Sequence, residues 1–409
     1  MADVTSRTRP TRVLLVQYAG DYLAAYHRLQ ETGTETYFAH RYVLEQLGLI
    51  AQTLGETAIF CSHAGRWYEE RLPSGLTVMG GEVDPVRPSR RLIRVLAGFD
   101  PTHLVVLGPW SGIIRWGLRT NRRVLGVFAS SFEHGRMRRF LRYGRVTRLL
   151  NDSRIEWIAN HGINSCLALK RLGVDADRII PWDFPHTRHP MDIRPRSAPP
   201  PGIPRMLFVG SLIRSKGIGD AIAGLAHLRA RGYHVALDVV GSGDLDTFRA
   251  RARKHAVHEH VLFHGVRPNH VVFEMMQRAF AVLVPSHHAY PEGLPFTIYE
   301  ALSARAPIVA SDHPMFRHNL EHRKTAMIFE AGNPTSLADQ IEQLLRDRSL
   351  YAALSGASQG AWERIQIETK WGELLRHWIA DASTDRAWLL DRRLSADRYH
   401  AVVRDRAGG

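Results

Sequence analysis

Short apolar runs alternate with longer amphipathic segments along almost the whole chain, and this pattern constrains the fold more than any other feature. Two parallel strands can be joined only through a crossover, usually a helix, so the alternation predicts a parallel sheet with helices on its faces. In the first half the predicted strands are Arg12–Tyr18, Thr57–Cys61, Leu76–Gly80, His103–Leu107, Val124–Phe128 and Glu156–Ala159. In the second half they are Met206–Gly210, His234–Val240, His260–His264, Ala281–Pro285, Pro307–Ala310 and Ala326–Phe329. The predicted fold class is therefore α/β, with two doubly wound halves.

A proline-rich segment over 186–205 separates the two halves. It holds six prolines, which cannot continue a helix or a central strand. Because 409 residues suit two or three domains of roughly 150 residues each, we predict a first domain over 1–185, a linker over 186–205 and a second domain over 206–380. A helical segment over 381–409 is expected to close over the domain junction and return to the first domain.

Two polar loops of the second half follow predicted strands, at the edge of a parallel sheet where ligands bind. The loop over 210–217 carries Arg214 and Lys216 before a helix start, where phosphate oxygens could sit, although a solvated surface turn is the alternative. A second loop begins at Glu292 and leads into a helix that carries Glu300. These two carboxylates could accept hydrogen bonds from sugar or ribose hydroxyls, while backbone N–H groups at the helix start bind phosphates.

Five ordered segments of the second half resemble the donor domain of the retaining GT-B glycosyltransferases of the family-four group, the glycosyl transferases group 1. The segments are Gly210–Gly217, Val239–Gly243, Phe263–Val266, Ser286–Ala301 and Pro307–Ser311. They follow the family's order and spacing, and the resemblance extends more loosely to the first half. It implies a GT-B fold, in which two Rossmann-like domains face each other across a cleft, with the first domain binding the acceptor.

The resemblance implies a function and a set of roles. The protein is expected to move a sugar from a nucleotide-sugar, UDP- or GDP-linked, to a glycan or lipid-linked acceptor in bacterial surface polysaccharide or glycoconjugate synthesis, with retention and without a bound metal. Lys216 would bind the diphosphate and Glu292 the donor sugar, which makes both catalytic candidates, while Glu300 would hold the ribose. The other expected donor-binding residues are Gly210, Ser211, Arg214, Val266, Gly293 and Leu294.

Three of the chain's departures from the family pattern concern candidate site residues. Ser211 stands where the family has an arginine, and Arg214 is the candidate replacement. Gly33 and Thr34 belong to a partial version of the glycine-rich loop that opens the first long helix of the acceptor domain. His134 is a displaced candidate for the histidine that reaches the reacting sugar, and so the third catalytic candidate.

The formal net charge of +14 is concentrated in the first half, where residues 119–148 hold nine arginines and a single acid. A helix over 136–150 would place Arg138, Arg142 and Arg145 on one face, which suits an anionic membrane surface. An ordinary packed helix with a solvated arginine side is the alternative. The two cysteines are far apart and no apolar run reaches the roughly 18 residues of a membrane span, so we expect a cytoplasmic protein, peripheral on the inner face of the plasma membrane.

Two other functions stay open from the sequence. The basic charge could serve nucleic-acid binding, but it lies away from the half that carries the motifs, and we expect no nucleic-acid partner. A chain without the family arginine at Ser211 could instead be a degenerate module that binds nucleotide-sugars without transferring the sugar.

Overall fold

The computed structural model describes residues 9–18, 20–132 and 144–407, and within them two mainly parallel sheets form. The first sheet has the strand order β3-β4-β2-β1-β5-β6-β7-β8. Its strands are β1 (Arg12–Gln17), β2 (Glu56–Cys61), β3 (His63–Arg71), β4 (Thr77–Glu82), β5 (His103–Val106), β6 (Arg123–Phe128), β7 (Ile158–His161) and β8 (Ile179–Trp182). The sheet places the carboxyl ends of β1, β5, β6 and β7 side by side, facing the second domain.

The first sheet departs from the sequence prediction at its two edges. The polar strand β3 was not predicted, and it runs antiparallel to β4. The strand β8 was also missed, because Pro181 interrupts a short run that leads into the proline-rich segment. Both strands lie at the edge of the sheet, where a proline or a mixed polar pattern is tolerated.

The structure describes six helices in the first domain, and the one that begins at Tyr22 has a local cap at each end. Their bounds are α1 (Tyr22–Thr32), α2 (His40–Thr53), α3 (Arg90–Phe99), α4 (Ser111–Arg119), α5 (144–150) and α6 (Ile163–Arg171). The Asp21 carboxylate accepts the first free N–H groups of α1, and Gly33 ends that helix in the left-handed conformation. The next helix begins at His40, with a loop between α1 and α2.

The second sheet has the order β11-β10-β9-β12-β13-β14, and all six strands predicted for this half are confirmed. They are β9 (Arg205–Val209), β10 (Ala236–Val240), β11 (Val261–Gly265), β12 (Ala281–Val284), β13 (Ile308–Ser311) and β14 (Met327–Phe329). The helices are α7 (Ile218–Ala230), α8 (Leu245–Lys254), α9 (Asn269–Arg278), α10 (Phe296–Ser303), α11 (Pro334–Arg346) and α12 (Arg348–Ile365). Asn333 caps α11 ahead of Pro334, and Gly232 follows α7 with a left-handed φ of 88°.

The chain crosses between the two domains twice, and the two crossings lie side by side. Two backbone hydrogen bonds join the crossings: the Asp183 N–H donates to the Thr369 carbonyl, and the Trp371 N–H donates to the Asp183 carbonyl. The final helices are α13 (Trp371–Ala380), α14 (Ser383–Asp391) and α15 (Asp397–Ala407). The buried face of α13 joins the apolar core of the first domain, so the return lies earlier than the predicted residue 381.

Candidate active site

The Lys216 loop is fixed against the end of the neighbouring strand. Strands β9 and β12 are parallel neighbours, so the loops that follow them leave the same edge of the sheet. The loop turns at Gly217, whose φ is 76°, and a Cβ built there would lie 1.9 Å from the Pro285 carbonyl oxygen. In addition, His287 N–H donates to the Ser215 carbonyl. Only glycine permits this approach, which brings Lys216 over the loop after β12.

Lys216 and Glu292 form an ion pair at this edge of the sheet. The Lys216 ammonium donates to both Glu292 carboxylate oxygens, each at 2.8 Å. The ammonium also lies 4.3 Å from the centre of the Tyr290 ring, where a cation is favoured. Glu292 is 4% exposed and the Lys216 side chain 18%, so the pair is held largely out of water. The two residues that the sequence assigned to diphosphate and sugar therefore do meet.

Glu300 lies one helical turn into α10, almost fully buried between the domains. The Asn269 side chain donates to its carboxylate, and an Arg188 nitrogen from the linker lies 4.0 Å away. Burial raises the pKa of Glu300 to about 7, although Asn269 and Arg188 both act to lower it. A carboxylate that is buried with so little compensation is typical of a functional site.

The remaining predicted donor-binding residues differ in their exposure to solvent. Gly210 ends β9, while Ser211 and Arg214 are exposed on the loop that follows. Within the described residues, no ion pair or side-chain hydrogen bond holds Arg214, so its guanidinium is free to turn toward a ligand. Val266 is 52% exposed after β11, whereas Leu294 is buried below the Glu292 loop.

A buried cluster that the sequence analysis missed lies against this loop from the first domain. The Asp183 carboxylate, which is fully buried, accepts from His161 at 3.0 Å and from His186 at 3.2 Å. Burial alone would raise the pKa of Asp183, but these two hydrogen bonds outweigh it and hold the pKa well below its usual range. A Cβ built at Gly293 would lie 3.3 Å from His161 Nδ1, so the donor loop and the first domain are in close contact.

In the part of the chain that the structure describes, none of the site residues predicted in the first domain is shown in contact with Lys216 or Glu292. Gly33 and Thr34 lie between α1 and α2 rather than before the first helix, which corrects the expectation from the family pattern. The carbonyl of Glu35, the residue after Thr34, accepts a hydrogen bond from the Asn269 N–H. This loop therefore contacts the second domain beside Glu300. His134, together with Arg138 and Arg142 of the expected membrane face, lies outside the described residues. Arg145 is exposed on α5.

Two further properties of the described residues bear on the predictions. They contain no cluster of three or more His, Cys, Asp or Glu side chains that could hold a metal ion. None of the helices described is both long enough and apolar enough to cross a bilayer.

Comparison with known proteins places this site in a family. Residues 191–360 match the family model of the glycosyl transferases group 1. The chain is 30% identical over 202 residues to the glycogen synthase of Mycobacterium tuberculosis, a match that covers 49% of this chain and 44% of that protein. It is 26% identical over 246 residues to the GDP-mannose-dependent alpha-(1-6)-phosphatidylinositol monomannoside mannosyltransferase of the same species, covering 56% of this chain and 59% of that protein. The matches thus span about half the length of these relatives.

The solved structure of the Anabaena protein HepE, in complex with UDP and glucose, has the same overall fold. The two structures superpose with a TM-score of 0.63 at 13% identity, covering 91% of this chain and 98% of HepE. This likeness extends over both domains and the cleft between them, and it confirms the GT-B fold predicted from the sequence. The Lys216 loop, the Glu292 loop and Glu300 all lie within the matched range. The region over residues 191–360 therefore belongs to the glycosyl transferases group 1 family.

Proposed function

We propose that the protein is a glycosyltransferase that moves a sugar from a nucleotide-sugar to a glycan or lipid-linked acceptor. The observation that carries the proposal is the Lys216–Glu292 ion pair at the carboxyl edge of the second sheet, with Glu300 buried one turn into the helix that follows Glu292. The family match supports the reaction type. HepE supports a uridine donor and the mycobacterial mannosyltransferase a guanosine donor, so UDP- and GDP-sugars are the first candidates.

The reaction we infer breaks the bond between the anomeric carbon and the diphosphate. The electron pair leaves with the diphosphate, the acceptor oxygen bonds to the anomeric carbon from the same face, and the acceptor proton passes to the leaving phosphate. Negative charge therefore develops on the diphosphate, and Lys216 and the start of α10 are placed to stabilise it. Glu292 and Glu300 would accept hydrogen bonds from sugar and ribose hydroxyls. This scheme uses no side-chain nucleophile and no metal.

Arg214 takes part in this proposal as the replacement for the arginine that Ser211 lacks. Its guanidinium is exposed two residues before Lys216, in a short turn at the base of α7. A guanidinium there could form paired hydrogen bonds to phosphate oxygens, as a lysine cannot. Without this contribution the chain would bind nucleotide-sugars but transfer the sugar poorly. That is the degenerate binding module considered above.

A thermal-shift panel of UDP, GDP, ADP, dTDP and their sugar conjugates tests the donor site. A ligand at about 100 times its dissociation constant adds roughly 2.7 kcal/mol of stability, which is easily seen as a rise in the unfolding midpoint. We expect one base to act selectively and Lys216→Ala to abolish the rise. Lys324→Ala, which removes an exposed lysine of the same domain, is the matched control. No rise with any nucleotide in a folded sample would overturn the proposal.

Product formation then separates an enzyme from a binding module. The selected donor is incubated with glycan and lipid-linked acceptors, and the product is analysed for linkage and anomeric configuration. Selective nucleotide binding without transfer to any acceptor, and without slow donor hydrolysis, would favour the degenerate module. Restoring the family pattern with Ser211→Arg should then raise turnover.

We also propose that the first domain docks on an anionic membrane. The helices α3, α4 and α5 join strands that step in one direction across the sheet, so right-handed crossovers place them on the same face. This face carries exposed arginines that have no carboxylate partner among the described residues. They are Arg87, Arg90, Arg91, Arg94, Arg115, Arg119, Arg145 and Arg148. Each cation near an anionic leaflet contributes about 1 kcal/mol.

Vesicle sedimentation tests the membrane proposal. The triple change of Arg138, Arg142 and Arg145 to Gln should reduce binding to vesicles that contain anionic lipid while nucleotide binding stays intact. The control removes the same charge from the second domain, at exposed arginines of α8 and α9. These are Arg249, Arg253 and Arg278. Equal binding by both triple variants would leave an ordinary solvated arginine face as the correct interpretation.

A further inference from the structure

A cavity lies at the junction of the two domains, next to the candidate active site. Its volume is about 190 Å³, well above the roughly 10 to 15 Å³ that admits one water molecule. Its wall combines the start of α6, the buried side chain of Leu294, the crossing segment after α12 and the helix α15. Parts of the chain that are distant in sequence therefore enclose one space, and Leu294 links that space to the Glu292 loop.

The wall of this cavity is strongly basic. It contains the guanidinium groups of Arg364, Arg398 and Arg406 and only one carboxylate, that of Glu368. Arg398 is already paired, since it donates to Glu368 at 2.8 Å and to Asp391 at 2.6 Å. Arg364 has a longer contact of 3.3 Å with Glu321. Two of the three cations therefore keep hydrogen-bonding capacity for a ligand.

Arg406 is the residue whose surroundings most require an anion. Its guanidinium donates a hydrogen bond to the neutral side-chain oxygen of Asn164, at 2.9 Å. Asn164 in turn donates to the Met315 and Arg317 carbonyls of the second domain, so the guanidinium is held in place at the junction. Burial lowers the pKa of Arg406 to about 10. The neighbouring Asp405 carboxylate acts to raise this pKa, but it does not offset the burial. Among the described residues no carboxylate forms a hydrogen bond with the guanidinium, so an anion in the cavity would stabilise this cation.

We propose that this cavity is a binding site for a phosphate group, held mainly by Arg406 and Arg364. Planar guanidinium groups bind phosphate through paired hydrogen bonds, and the start of α6 at Ile163, which Gly162 caps without a side chain, adds a favourable dipole. The phosphate could be inorganic or part of a larger monoester, because both present the same terminal oxygens. This site is separate from the donor site at Lys216, and the proposal does not depend on sugar transfer.

Titration with inorganic phosphate tests the proposal on the full chain, with the unfolding midpoint and calorimetry as readouts. We expect the wild-type chain to be stabilised, and Arg406→Gln to weaken phosphate binding at least tenfold. Arg404→Gln is the matched control, because Arg404 is an exposed arginine of the same helix that does not line the cavity. The Lys216→Ala variant should keep the response, since the donor site is elsewhere.

Two further results decide the interpretation. A response that is lost in Lys216→Ala but kept in Arg406→Gln, or no response in the wild-type chain, would overturn the proposal. If Arg406→Gln does not fold, Val402→Trp fills the same cavity without changing charge and should abolish the response. Glycerol 1-phosphate distinguishes the sources: binding at least tenfold tighter than inorganic phosphate supports a phosphate carried by a larger molecule, and equal binding supports the free ion.

Discussion

Glu300 provides the sharpest test of the site, because its burial has opposite consequences for stability and for binding. The pKa of this carboxyl is raised by burial from its ordinary 4.5 to about 7. The folded protein therefore binds the proton more tightly than the unfolded chain does. Proton binding to Glu300 therefore makes its full contribution to the free energy of unfolding below about pH 4.5. This contribution is lost as the pH rises through about 7. Each pH unit between these values corresponds to about 1.4 kcal/mol, or roughly 3 kcal/mol in total.

The substitution Glu300→Gln removes the ionisation but keeps an oxygen that can accept from Asn269. We expect the variant to be within about 1 kcal/mol of the wild-type chain at pH 5 and about 3 kcal/mol more stable at pH 8.5. For a domain of this size that difference is a rise in the unfolding midpoint of roughly 6 to 12 °C. Donor binding at pH 8.5 should fall in the same variant by about 1 to 3 kcal/mol, because a charged acceptor is lost.

The assay is a set of thermal unfolding scans between pH 5 and 8.5, on the wild-type chain, Glu300→Gln and Glu259→Gln. Glu259 is an exposed glutamate of the same domain, so its replacement should leave the pH dependence unchanged. A stability difference between wild type and Glu300→Gln that does not grow with pH would refute the reasoning about burial. Unchanged donor affinity would instead refute the assignment of Glu300 to the donor site.

Three further predictions concern the framework of the site. Lys216→Met should destabilise the second domain by about 3 to 5 kcal/mol in urea unfolding, because Glu292 is left buried and unpaired, and the added change Glu292→Leu should recover most of this loss. Gly217→Ala should lower the unfolding midpoint and donor affinity together, since its Cβ would clash with the Pro285 carbonyl at a φ that alanine avoids. Arg196→Ala should cost at least about 3 kcal/mol by calorimetry, as its guanidinium binds three backbone carbonyls and a tyrosine hydroxyl of the second domain.

The sequence predicted the second domain better than the first for a physical reason. Its central strands β9, β12 and β13 are largely buried on both faces, so each contains a continuous apolar run that stands out against helices of period 3.6. The edge strand β3 instead contains charged residues and a glycine, and its pairing with β4 depends on contacts that periodicity does not encode. The first domain also holds the loop between α1 and α2, whose position is set by the cap at Asp21 and by contact with the second domain.

The sequence predicted the site residues that lie in short motifs, and it missed residues that come together only in the folded chain. Lys216, Glu292 and Glu300 lie in motifs with fixed spacing, and the structure brings the first two together as expected. His161 and Asp183 were missed because they are 22 residues apart and meet only through the parallel pairing of β7 and β8. A usable signal did exist, since both are polar residues at the carboxyl ends of strands, where ligand-binding residues concentrate.

Three ionisable groups at the domain junction, the buried Asp183 and Glu300 and the half-buried Arg406, show how a structural group differs from a ligand site. Asp183 is the most buried, yet its pKa is lowered, because His161 and His186 supply enough hydrogen bonds to stabilise the charge. Glu300 and Arg406 shift the other way, each toward its neutral form, because burial outweighs the partners that the chain provides. A protein that leaves two charges undercompensated at one junction sacrifices stability there, and it recovers that stability when ligands supply the missing partners. Ligand binding at Glu300 and Arg406 should therefore stabilise this chain most strongly at the pH where each group is charged.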